Sequence, residues 1–134
     1  MQVSTLQKAL HRIDKGVLKL GEHLPNAGEF CALEFDAAMR GRKHSDNPTT
    51  LPDLRSLNDA WPDNPIGDAM RTKAILPVMA ALWDWTTWSQ ARVERFCRLV
   101  MNRLIKTHKF TFQVMDVRER EAAVITLLYS DAVF

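Results

Sequence analysis

The segment VSTLQKALHRIDKGVLKLGEHL, residues 3–24, sets the fold class. Val3, Leu6, Leu10, Ile13, Val17, Leu20 and Leu24 recur at alternating steps of three and four, which places them along one helical face. Ser4 followed by Gln7 fits a capping box, in which each side chain satisfies a free backbone donor of the first turn. The pattern predicts a long first helix closed by Gly21 and Pro25. About three heptads with Gly16 in the middle favour packing onto the chain's own core over a coiled-coil dimer, and leave monomer or dimer undecided.

Further along the chain the same logic repeats. A second helix is expected over about 28–39, with Phe30, Leu33 and Ala37 on one face and Gly41 as its C-terminal cap. Residues 42–52 turn polar and read as a loop, and a short helix follows over 53–60. Asn64 then Pro65 is a helix start signal, a capping side chain before a proline whose missing donor costs nothing at the first position. That helix is expected over 65–85 with a kink or break at Pro77. Thr87 and Gln90 suggest a capping box for a fourth long helix reaching about 106–108. Phe110, Phe112 and Val114 alternate as in a short strand, whereas Asp116 with Glu119 suits a last helix; the fold of 110–134 stays open. Glycine is scarce and no hairpin dipeptide separates alternating runs. The expectation is an all-α protein: one compact helical domain over 1–134, a bundle of about five helices with a polar loop at 42–52.

Bulk composition agrees. With 46% apolar and 25% charged residues, the chain is neither collagen-like, nor a disulfide scaffold, nor wholly disordered. Residues 1–10 lack the apolar run of a signal peptide, so Cys31 and Cys97 read as reduced thiols and the expected location is the cytoplasm of a bacterial host. The longest apolar stretch, Ala74 to Trp83, holds Pro77 and falls well short of the roughly 20 residues that span a bilayer, so no membrane role is expected.

The net charge of +2 conceals an uneven distribution. Residues 91–110 carry Arg92, Arg95, Arg98, Arg103, Lys106 and Lys109 against Glu94, a local +5 that leaves −3 for the rest. On a helix those six bases fall within an arc of about 140°. Val93, Phe96, Cys97, Val100, Met101 and Leu104 fill most of the opposite side. A single-sign face of this kind suits an acidic protein surface or phosphate backbones, and equally a solvated face whose arginine stems cover apolar neighbours. No aromatic residue is interleaved with the bases on that face for stacking.

The densest group of polar residues lies between Cys31 and Asp59. Cys31 and Glu34 share a helical face, and His44, Ser45, Asp46, Asn58 and Asp59 follow. Three readings are open. Cys31 is a nucleophile activated by His44 and oriented by Asp46 or Asn58. Cys31, Glu34, His44 and Asp46 bind a metal, although no paired ligand spacing supports that. Or Glu34 accepts hydrogen bonds from the loop while Ser45, Asp46, Asn58 and Asp59 close turns and cap short helices, a structural lock. His11, His23 and His108 stand alone in helical surroundings. Trp61, Trp83, Trp85 and Trp88 read as core and corner packing. Phosphate loops, dinucleotide fingerprints and metalloprotease motifs are absent from the sequence, and no cofactor is expected.

Cys31, Glu34, Gly41, Ser45-Asp46, Pro48 and Leu57-Asn58-Asp59 together resemble a pattern of small uncharacterised bacteriophage and bacterial proteins. The resemblance covers about 30 residues and leaves out both the basic helix and residues 110–134. It implies a helical phage or mobile-element protein, and adds interest to Cys31, Glu34, Asp46 and Asn58 as a shared site or a shared lock. The expected function is binding: occupation of a surface on a protein or nucleoprotein complex, for instance to inhibit a host or defence complex, with direct nucleic-acid binding as a further option. The alternative is a small enzyme with a Cys31/Glu34/His44/Asp46 pocket.

Overall fold

The computed structural model describes residues 1–96 together with 98 and 99, and these form an all-α fold. Helix α1 spans Val3–Ile13, α2 Ala32–Met39, α3 Arg55–Asn58 and α4 Pro65–Ala81; a 3-10 turn covers Trp85–Thr87, and a further helix starts at 90. Helix α4 is central, with α1 and α3 packed on it and α2 packed on α3. Leu6, Leu10, Phe35, Leu54, Ile75 and Met79 anchor the core with no exposed surface. Residues 110–134, Cys97 and the bases Arg103, Lys106 and Lys109 lie outside the described residues.

Helix α1 is shorter than its apolar seam predicts. Only Leu6 and Leu10 of the seam enter the core, and Val3, Ile13 and Leu24 are exposed. The chain leaves the helix at Asp14 because Lys15 and Gly16 take left-handed conformations, φ 42° and 82°. The buried Asp14 carboxylate then accepts the Phe30 amide, and Gln7 donates to the Gly16 carbonyl instead of closing a box with Ser4. Tertiary hydrogen bonds thus override the local repeat.

Helix α2 begins at Ala32, four residues later than expected, since Cys31 is its N-cap. Its C-terminus follows the sequence reading: Gly41 (φ 66°) donates to the Ala38 carbonyl and Arg42 to the Ala37 carbonyl, the Schellman arrangement. Helix α3 is a single turn, shorter than expected.

Helix α4 starts where predicted, with the Asn64 side chain accepting the Gly67 amide at 2.7 Å. It runs through Pro77 to Ala81, short of Trp85. Pro77 and Lys73, one turn apart, are both exposed, so the carbonyl that loses its helical donor lies on the solvent side. Thr87 does not cap the next helix; Ser89 Oγ accepts the Arg92 amide.

Gly67 supplies a test of this packing. A Cβ at this position would collide with the Pro62 carbonyl, itself a hydrogen-bond acceptor of Arg71. Alanine favours helix over glycine by about 1 kcal/mol in open settings. Gly67→Ala is nevertheless expected to destabilise the protein by about 1–3 kcal/mol, read from the urea midpoint.

Candidate functional site

Glu34 lies at the third position of α2 and is fully buried. One oxygen accepts the Cys31 amide and His23 Nδ1, each at 2.8 Å. The other accepts the His23 amide at 2.8 Å and His44 Nε2 at 2.9 Å. The Cys31 thiol completes a capping box by facing the Glu34 amide, sulfur standing where a hydroxyl usually does. His44 Nε2 also reaches the His23 carbonyl at 2.8 Å, so this nitrogen faces only acceptors and carries the proton; His23 Nδ1 does the same toward Glu34. Burial alone would raise the Glu34 pKa, but the hydrogen bonds from Cys31 and His23 outweigh it and hold the carboxyl below its ordinary value. His23, which stands alone in the sequence, is thus a direct partner of the buried carboxylate, and its 2.8 Å contacts correct the isolated reading.

Cys31 is not inside a helix but at its cap, and it is buried. Burial, aided by the adjacent Glu34 carboxylate, pushes its thiol up to about 12, the opposite of nucleophile activation. A cavity of about 50 Å³ beside it is lined by Cys31, Asp46, Arg55, Asn58 and Asp59, room for a few waters at most. Among the described residues, no group of three or more His, Cys, Asp or Glu side chains is arranged to hold a metal ion.

The neighbouring polar residues grip backbone. Asn58 accepts the Ala32 amide at 2.9 Å and donates to the Lys19 carbonyl at 2.9 Å; Asp59 accepts the Gly21 amide at 2.9 Å. Ser45 Oγ accepts the Asn47 amide in a local turn. Two further buried clusters escaped sequence reading. Asp36, fully buried, binds Arg40 Nε at 2.6 Å, Arg42 at 3.1 Å and the Thr50 hydroxyl. Arg71, fully buried, uses all five N–H groups: on Asp68 at 2.6 Å and on the carbonyls of Leu18, Asn58, Trp61 and Pro62. The Asp68-Arg71-Thr72 spacing on the buried stripe of α4, charge interrupting an apolar helical period, was the available signal.

The outward-facing chemistry lies elsewhere. Arg92, Arg95 and Arg98 are exposed on the helix that starts at 90, and none forms an ion pair among the described residues. Tryptophans that precede these bases in the sequence are brought beside them in space, together with Phe96 from between Arg95 and Arg98. The Arg92 guanidinium stacks 3.9 Å over the Trp88 ring, and Trp85, Trp88 and Phe96 form a cluster with centroids 5.0–5.8 Å apart. Trp88 Nε1 donates to Asp84 and holds that carboxyl low. Trp85 also borders an open groove of about 650 Å³ between it and residues 47–55.

Comparison with protein-family models, with curated proteins and with solved structures finds no match to this chain. Among the described residues, no helix is long and apolar enough to cross a membrane.

Proposed function

We propose that the chain is a small helical binding protein of the phage or mobile-element kind, acting by occupying a surface of a protein or nucleoprotein complex. Inhibition of a host or defence complex is one form of that role. The observation that carries this reading is the exposed run Arg92, Arg95 and Arg98, free of ion pairs among the described residues and flanked by half-buried tryptophans. Arginine and tryptophan are the residues that most often dominate binding interfaces. Of the groups that could have served an enzyme, Glu34 holds four hydrogen bonds, one of them from His44, and the Cys31 thiol is held protonated.

Charge reversal tests the proposal. Arg95→Glu, Arg98→Glu and Arg103→Glu combined should weaken capture of the partner from a host lysate by about tenfold or more, with the far-UV circular dichroism unchanged. Undiminished capture by a folded variant overturns the role given to this face.

A further inference from the structure

We propose that the corner between the 3-10 turn and the following helix binds a single-stranded nucleic acid, with a base stacked on Trp85 and the backbone running along Arg92, Arg95 and Arg98. The inference rests on the reading that the arginine face is the partner-binding surface, and names what that surface takes.

Trp85 is half-buried, packed against Trp88 at 5.0 Å and edge-on with Phe96 at 5.8 Å, and it borders the open groove. An indole held by aromatic neighbours at the border of an open groove suits base stacking. The groove is not a phosphate pocket: Arg55, its cation, is paired with Asp53 through both Nε at 2.9 Å and a terminal nitrogen at 2.8 Å. In this proposal phosphates run instead along the adjoining helix, where the Arg92 guanidinium sits 3.9 Å over the Trp88 ring and Arg95 and Arg98 follow at three-residue steps. Bases on one side and cations on the other is the polarity of a single strand. A duplex has no free base face to offer Trp85, and an acidic peptide has no ring to stack in the groove.

The test uses the full chain and a thymidine oligonucleotide of about 12 residues, with affinity read from tryptophan quenching at about 50 mM and about 200 mM salt. Binding should weaken at least tenfold between the two salts, as three released counterions require. Trp85→Leu should weaken it about fivefold or more, Trp85→Phe far less, and Arg95→Glu with Arg98→Glu should remove it. A photoreactive uridine analogue in the strand should cross-link wild-type protein at Trp85 or Trp88, a readout that needs no variant to fold. No binding at the lower salt, equal binding of duplex or poly-glutamate, cross-links only elsewhere, or a folded Trp85→Leu that binds like wild type each overturns the proposal. If charge reversal abolishes capture of the cellular partner while no strand cross-links at Trp85 or Trp88, only this inference falls. If charge reversal leaves capture intact, the broader reading falls with it.

Discussion

Arg71→Leu is expected to unfold the protein or bring it to the edge of unfolding. The guanidinium is fully buried and its five donors have five acceptors, one carboxylate and four backbone carbonyls. Removing one partner of a buried ion pair costs about 3–5 kcal/mol, because Asp68 keeps a charge with reduced compensation. Lys19 remains 3.2 Å from the other Asp68 oxygen, which softens that loss but does nothing for the carbonyls. Those carbonyls belong to the segments around Leu18 and around Asn58 to Pro62, so the loss also unties two irregular stretches from α4. Against a typical total stability of about 5–15 kcal/mol, the ion-pair cost alone removes a fifth or more of the fold's margin, and the unpaired carbonyls add to it. Arg71→Lys should fall between: it restores charge but not the planar fork that reaches in three directions. Urea unfolding followed by tryptophan fluorescence measures both. A leucine variant within about 1 kcal/mol of wild type would refute the role given to Arg71.

Glu34→Ala should cost about 3–5 kcal/mol, since it strands the Cys31 and His23 amides and the His23 imidazole donor around an emptied site and leaves His44 only the His23 carbonyl. Glu34→Gln separates charge from shape: its amide group would point donors at donors on one side of the carboxylate's place. The same residue sets an acid limit. Its folded-state pKa lies below the ordinary 4.5, so its stabilising share is fully present above about pH 4.5 and is lost as pH falls through the lower folded value. Asp14 works in the opposite sense, because burial raises its pKa and its folded form gains protons more readily as pH falls. Stability measured from pH 7 to pH 3 should therefore decline less steeply in Glu34→Gln than in wild type. An identical slope in the two proteins would mean that Glu34 does not carry the acid limit.

Much of the architecture was legible from short-range signals. Asn64-Pro65 opens α4 as its residue types dictate, Gly41 closes α2, and residues 42–52 lack regular structure. Each of these depends on chemistry within a few residues. What the sequence hid depends on partners far along the chain. The seam from Val3 to Leu24 reads as one helix, yet Asp14 binds Phe30 and the helix stops. His23 looks isolated because its partner, Glu34, lies across a left-handed turn and a loop. Arg71 meets Leu18, 53 positions away, through a backbone atom that any residue would provide. The Cys31-to-Asp59 constellation was visible as a cluster, but its role depends on where each hydrogen bond goes. The contact of Arg92 with Trp88 was hidden for a different reason: the tryptophans precede the run of bases, and the corner at 85–90 folds the two together.

The buried polar residues of this fold clasp main-chain atoms more than they clasp each other. Arg71 binds four carbonyls, Asn58 an amide and a carbonyl, Asp14 an amide, and Glu34 two. A main-chain atom is the same whatever side chain is attached to it. The clasped segments can therefore exchange outward-facing residues such as Glu22, Leu24 and Asp63 without loosening the grip, while a handful of clasping residues must stay as they are. The scaffold is suited to surface change over a nearly fixed interior.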